Sequence, residues 1–206
     1  MTDRMKSESW DAIVIGGGPA GASSAAILAE YGHRVLVLER EKFPRYHIGE
    51  SLIPFTYQPL ERLGLIPKMK ASGFVKKYSV VFISRNGKAS EPFYFYTRYD
   101  RDSVAQTWQV LRSEFDQMLL DNAREKGAHV IEEIAVKELL RENGRVVGVR
   151  AQKKSGGVAF NHSRAHFFYS FSAAKRTPAF KGPYYSERIH AATSTFYCWH
   201  RIVAAV

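Results

Sequence analysis

Asp11-Ala12-Ile13-Val14-Ile15-Gly16-Gly17-Gly18-Pro19-Ala20-Gly21 is the stretch whose reading decides the fold. Ala12 to Ile15 is an uninterrupted apolar run, the composition of a strand buried on both faces of a parallel sheet. It breaks into glycines at Gly16, Gly18 and Gly21, the G-x-G-x-x-G spacing. Each position answers a steric demand: Gly16 permits a tight turn, Gly18 lets backbone amides approach a pyrophosphate, and Gly21 lets the following helix sit close on the strand. Pro19 stands where that helix begins, where its missing N–H costs nothing, and Ala20 continues the first turn. The free amides and positive dipole end of the helix then face the phosphates, an anion cradle made of backbone.

Working outward, Ala22 to Tyr31 reads as the helix, Gly32 as its stop, and Arg34 to Leu38 as a second buried strand. That strand ends in Glu39, where an acidic side chain accepts both hydroxyls of an adenosine ribose. Strand, glycine turn, helix, strand and acidic terminus stand in order. Together they predict a doubly wound, Rossmann-like α/β domain that binds a dinucleotide.

Length and charge bound what else the chain is. Its 206 residues suffice for one full domain and are short for two. The formal charge of +10 invites a nucleic-acid reading, but its distribution argues against one. Up to Arg150 there are 22 Lys and Arg against 19 Asp and Glu, whereas from Ala151 on there are 8 against 1. The single Cys198 excludes an internal disulfide framework, and without partner cysteines no structural metal site is expected. The polar start, Met1 to Ser9, lacks an apolar signal core and no run approaches membrane-spanning length, so a cytoplasmic protein is expected.

After Glu39 comes a loop with two prolines and no period, Arg40 to Pro54. Phe43-Pro44-Arg45 followed by Gly49-Glu50-Ser51-Leu52 resembles the loop after the second strand in flavin-dependent halogenases and related FAD monooxygenases. In that family the loop lies against the flavin. The resemblance therefore implies FAD as cofactor, with Arg40, Gly49, Glu50 and Ser51 joining Gly16, Gly18, Pro19, Ala20, Gly21 and Glu39 around it.

Tyr78 to Ile83 alternates as a strand with Lys76 and Lys77 at its entrance. Read from the residues alone, these are edge lysines of the kind that blunt strand pairing. The halogenase resemblance implies a second reading, because an aromatic-x-x-lysine segment precedes a strand there and its lysine is catalytic; the matching residue is Lys77. An ammonium polarises hypohalous acid, or a free amine holds the halogen, and either needs a largely desolvated lysine. The chain departs from the family in carrying Ser79 where glycine is frequent. Asn86-Gly87 signals a hairpin that returns Val80–Ser84 onto an aromatic strand, Glu91 to Tyr96, part of a substrate-side sheet spanning about 74–110. Pro54 to Leu65 reads as a helix stopped by Gly64 and Pro67.

Gln106 to Leu111 reads as a strand, and Arg112 to Gly127 as a helix carrying Phe115, Leu119 and Ala123 on one face. Arg112 before Glu-Phe-Asp resembles a motif shared by halogenases and aromatic hydroxylases, where the arginine contacts FAD. His129 to Ile131 then reads as a strand, and Ala135–Leu140 with Val146–Val149 as a hairpin across Asn143-Gly144, typical of the sheet on the adenine side in that family.

The resemblance runs from about Trp10 to Gln152. Beyond it, the strand that rejoins the main sheet, a second Gly-Asp flavin segment, the Trp-x-Trp-x-Ile-Pro motif and a helical C-terminal domain are not recognisable. The expected division is an FAD-binding domain over 1–152 and an atypical basic, aromatic tail over 153–206. The tail is either a short module suited to single-stranded nucleic acid or the product of a frame or truncation change, and the second is preferred because propensity and pattern disagree throughout it.

For the family the resemblance implies a halogenase-like monooxygenase: reduced FAD and O2 give a hydroperoxyflavin, halide attacks it, and an aromatic small molecule is halogenated. A flavin reductase or NAD(P)H supplies electrons. The alternatives are an aromatic hydroxylase, a geranylgeranyl-type reductase, or an inactive fragment or basic binding module.

Overall fold

The computed structural model describes residues 10–97, 105–153, 156–161 and 167–169. The chain divides into two units, one made of the segments up to Pro44 and from Asp116 on, the other of Arg45–Phe115.

In the first unit, β1 (Ala12–Ile15), α1 (Pro19–Glu30) and β2 (Val35–Leu38) form the unit anticipated from the glycine stretch. Both strands are apolar and buried nearly throughout, as a sheet covered on both faces requires. β7 (His129–Ile131) pairs parallel with β2, and β11 (Phe167–Tyr169) pairs parallel with β1 on the other side, giving the order β11-β1-β2-β7. β11 corrects an expectation: the strand thought missing from the tail is present and rejoins the main sheet. Its three residues are too few to show a period, so parallel pairing reveals what patterning does not.

The second sheet of this unit is antiparallel, with β8 (Ile134–Glu142), β9 (Arg145–Lys153) and β10 (Gly156–Asn161) in the order β10-β9-β8. Asn143 and Gly144 turn the β8–β9 hairpin with φ of 49° and 77°, the left-handed pair that a two-residue hairpin turn needs. The hairpin is longer than its apolar alternation suggested and runs on to Lys153. Its inward residues Ile134, Leu139, Val149 and Ala151 share one core with Trp10, Ile13, Leu36 and Leu38 of the parallel-sheet side. Val14, on the opposite face of β1 from Ile13, lies against Gly21 of α1. The parallel sheet is thus sandwiched between α1 and the antiparallel sheet.

The second unit begins with a 3-10 turn (Pro54–Thr56), α2 (Tyr57–Arg62) and α3 (Ile66–Ala71). Pro67 does not stop a helix. It stands in the first turn of α3, where its missing N–H is harmless, and the break falls at Gly64 with φ 76°.

The strand expected over Tyr78 to Ile83 is replaced by two short ones. β3 (Val75–Lys77) pairs with β6 (Thr107–Gln109), and β4 (Ser79–Val80) pairs with β5 (Phe93–Tyr94). Beyond Val80 the Asn86-Gly87 hairpin is held only by turn hydrogen bonds and a bridge between Ile83 and Ala89. The aromatic strand shortens likewise: Phe95–Thr97 is a 3-10 turn that buries Phe95 while Phe93, Tyr94 and Tyr96 are exposed. Ser79 adopts ordinary strand backbone opposite Tyr94, so the serine in place of glycine imposes no strain.

α4 (Arg112–Glu125) is the helix anticipated after β6, with Phe115, Leu119 and Ala123 buried and Gly127 closing it at φ 101°. Among the described residues no helix is long and apolar enough to cross a membrane. The tail from 170 to 206, with Cys198, and the polar start lie outside the described residues.

Candidate functional site

The sheet order reverses at β1, whose neighbours β2 and β11 lead away in opposite directions, and ligands of open α/β sheets bind at such a switch point. The glycine turn leaves β1 there. Gly16 N–H donates to the Leu38 carbonyl at 2.8 Å and its φ of 97° makes the turn. A Cβ on Gly21 would lie 2.0 Å from the Gly16 carbonyl oxygen, so only glycine lets α1 approach this closely. α1 opens on Gly18 and Pro19 with no side-chain cap. Its first-turn amides, those of Ala20 and Gly21 included, have no intrahelical acceptor and are the donors a diphosphate would take.

Glu39, the residue expected to hold the ribose, follows β2 and lies beside the glycine turn. Its carboxylate is buried, accepting Gly17 N–H at 2.6 Å on one oxygen and Glu41 N–H at 2.9 Å on the other. Its own N–H donates to the Ile131 carbonyl, and its carbonyl accepts from Ile134 N–H, so β7 and the start of β8 hold the residue. Each ionised carboxylate oxygen retains acceptor capacity after one hydrogen bond, enough for two ribose hydroxyls. Uncapped amides, a forced glycine approach and a buried carboxylate on the same turn form a donor and acceptor set that fits an adenine dinucleotide.

Sequence reasoning overlooked one residue of this turn and one that backs it. Gly17, the variable position of the motif, gives its amide to Glu39, and a Cβ there would meet Leu120 Cδ1 of α4 at 3.1 Å. Three glycines in a row are the signal for the first; nothing local marks Leu120. Arg40 is exposed and, with Glu41, Lys42, Glu133, Lys137 and Lys153, lines an open cleft of about 480 Å3.

In the second unit the loop anticipated to lie against the flavin is anchored along β6. Val110 N–H donates to the Glu50 carbonyl, Leu52 N–H to the Trp108 carbonyl, and Ser51 bridges Gln109. Glu50 thus serves here through its backbone. Gly49 has φ 102°, and Arg112 Nη1 donates to the Ile48 carbonyl at 2.7 Å and the Gly49 carbonyl at 3.4 Å. The structure gives Arg112, nearly buried at the start of α4, the task of clamping this loop.

Lys77 is not a free edge lysine. Its Nζ donates to Ser51 Oγ and, at 3.0 Å, to the Leu52 carbonyl, and lies 5.9 Å from the centre of the Phe95 ring. Burial pushes its ammonium below the usual lysine range. The structure therefore brings Lys77 and Ser51 together with Phe95, which no sequence signal joined to them, and separately brings Gly16, Gly17, Gly21 and Glu39 together.

Comparisons with known proteins bear on the family and the fold. The family described as FAD binding domain matches residues 9–164. The flavin-dependent halogenase armH3 of Armillaria mellea is 40% identical over 159 residues, covering 74% of this chain and 31% of that protein. The 1H-pyrrole-2-carbonyl-[peptidyl-carrier protein] brominase of Pseudoalteromonas luteoviolacea is 39% identical over 141 residues, covering 68% of this chain and 32% of that one. Among solved structures, the myxobacterial chondrochloren halogenase CndH superposes with a TM-score of 0.70 at 42% identity, over 75% of this chain and 36% of that one. The chain spans about a third of the length of the curated relatives it matches.

Proposed function

This chain belongs to the FAD binding domain family, whose cofactor is FAD, and from that premise we propose that it forms the cofactor-binding part of a halogenase-like flavoprotein oxidoreductase acting on an electron-rich aromatic small molecule. The glycine turn and the α1 N-terminus hold the diphosphate, and Glu39 holds the ribose. Arg40 is a further candidate for contact with FAD in the first unit, and Arg112 and the Gly49–Ser51 loop are candidates in the second. Reduced FAD, when bound, supplies the oxygen activation that converts halide to hypohalous acid.

The single observation that carries the halogenase reading is Lys77. Its Nζ is fixed by two acceptors on the Ser51–Leu52 segment, set beside an aromatic face and partly withdrawn from water. As an ammonium it has three N–H donors; with two engaged, the third is left to donate to the oxygen of hypohalous acid and polarise the halogen. As a free amine, favoured by burial, it attacks the halogen, forming an N–halogen bond and releasing water. Halide, O2 and a flavin reductase are the partners this chemistry requires, and a cytoplasmic setting supplies the reduced nicotinamide on which such a reductase draws.

The test incubates the chain with FAD, a flavin reductase, NADH, O2, bromide and a phenol or pyrrole acceptor, and reads products by mass spectrometry. Bromide-dependent bromination that falls by at least about a hundredfold in Lys77→Ala, the scale of losing a proton donor, is the expected result. Hydroxylated or reduced products that need no bromide and are indifferent to Lys77→Ala overturn the reading in favour of a hydroxylase or reductase.

A further inference from the structure

A lysine ends in a strongly hydrated charge on a flexible four-carbon stem, so the position of Nζ beside Phe95 has to be imposed. β3 sets only the Cα of Lys77, opposite Thr107 of β6. The Ser51–Leu52 segment sets the other end, and that segment is itself tied to β6. Ser51 bridges Gln109, Leu52 N–H donates to the Trp108 carbonyl at 3.1 Å, and Thr107 Oγ1 donates to the Ile53 carbonyl at 3.2 Å. One strand therefore registers both the lysine and the acceptors that receive it. Of those acceptors, the Leu52 carbonyl comes with any residue at that position, whereas the hydroxyl is present only because residue 51 is Ser.

Resting on the halogenase reading above, we propose that Ser51 is a positioning residue for Lys77: its hydroxyl holds Nζ beside Phe95 and sets the balance between the ammonium and the free amine. The physical basis is the direction of the hydrogen bond. An acceptor facing an ammonium stabilises the charged form, which opposes the effect of burial. Removing the hydroxyl releases Nζ from one of its two anchors and leaves burial less opposed. The charged and titratable groups on the surrounding elements of this unit are Lys76 and Tyr78 on either side of Lys77, Arg45, Tyr46, His47 and Glu50 on the loop, Tyr94 on β5 and Tyr96 on the 3-10 turn, while β6 offers only Thr107, Trp108 and Gln109. A substitution at Ser51 leaves that set of charges unaltered.

The experiment compares wild type, Ser51→Ala and Ser51→Thr. The first readout is the titration of Lys77 followed by NMR at its 13Cε and 15Nζ in lysine-labelled chain without FAD, assigned with Lys77→Arg. Ser51→Ala is expected to move the Lys77 titration further down, by on the order of one pH unit, and Ser51→Thr, which keeps a hydroxyl, to restore it. The second readout is bromination by the FAD-loaded chain. In Ser51→Ala kcat is expected to fall about tenfold with the acceptor KM unchanged, and the limb of the pH profile that reports Lys77, alkaline if the ammonium acts and acid if the amine acts, to move to lower pH with the titration. An unchanged Lys77 titration in Ser51→Ala overturns the proposal, and so does a shifted titration with unchanged kcat. A wild-type chain without bromide-dependent product overturns the halogenase reading instead, and the titration still decides whether Ser51 holds Lys77.

Discussion

Glu39 serves two purposes with one carboxylate. It closes the end of the β1–α1–β2 unit by accepting the amides of Gly17 and Glu41, and its remaining lone pairs are the acceptors proposed for the ribose hydroxyls. Glu39→Ala should weaken FAD binding at least about tenfold, from the loss of charged acceptors worth roughly 1.5–3 kcal/mol each. It should also lower stability by about 1–3 kcal/mol, because two backbone amides lose their partner. Flavin absorbance retained after dialysis and a urea melt separate the two effects, and full retention of FAD would refute the ribose assignment. Asp11 illustrates a purely structural carboxylate. It accepts the Arg34 N–H at 2.8 Å and pairs with Arg34 Nε at 3.5 Å, and that backbone hydrogen bond, more than the guanidinium, holds its carboxyl below the ordinary range. A depressed folded value means that its contribution is complete above about pH 4, the unfolded value, and is lost as pH falls through the folded one. Asp11→Asn should therefore flatten the decline of Tm between about pH 5 and pH 2, measured by calorimetry in steps of pH. At this scale the motif residues were legible because their spacing is local, whereas the contact of Lys77 with Ser51 spans 26 positions and has no sequence signature.

Among the elements, α4 shows how a helix supports a turn far from it in sequence. Its apolar face was readable from the spacing of Phe115, Leu119 and Ala123. What that face supports was not: fully buried Leu120 is the wall on which Gly17 lies. Leu120→Ala should cost about 2–5 kcal/mol as a core cavity and should also weaken FAD binding, since the glycine turn loses its backing. Chemical denaturation and flavin fluorescence titration report the two, and a stability loss with unchanged FAD affinity would show that the turn is rigid without α4. Pro67 and the short strands β4 and β5 mark the limit of local reading. A proline ends one helix or starts the next according to which side the chain packs on, and an aromatic run is strand or 3-10 turn according to which ring is buried. Phe95 is buried and Tyr96 is not, and that difference belongs to packing.

For the whole molecule, the decisive feature is β11. By pairing with Ile13, Val14 and Ile15 it gives β1 a neighbour on its second side and creates the reversal of strand order at which the glycine turn opens. β10 extends the covering sheet in the same way, along β9. A chain ended after Lys153 should be less stable than one ended after Tyr169 by on the order of a few kcal/mol, at roughly 1 kcal/mol for each ladder hydrogen bond lost. It should also bind more of a hydrophobic dye, because the edge of β1 is uncovered. Equal urea midpoints and equal dye binding for the two would show that β11 contributes nothing to the sheet.

The amino-acid sequence by itself determined the β1–α1–β2 unit and the FAD family, and it singled out the residues proposed to meet the dinucleotide. These depend on steric demands within about thirty consecutive residues, and glycine, proline and a terminal glutamate satisfy them in a recognisable order. Only the tertiary structure decided that β11 completes the parallel sheet, that Leu120 backs Gly17, and that Lys77 is held by Ser51 and Leu52 beside Phe95. Those features join residues distant along the chain through burial and hydrogen bonding, and one strand register, that of β6, places the lysine and its acceptors together.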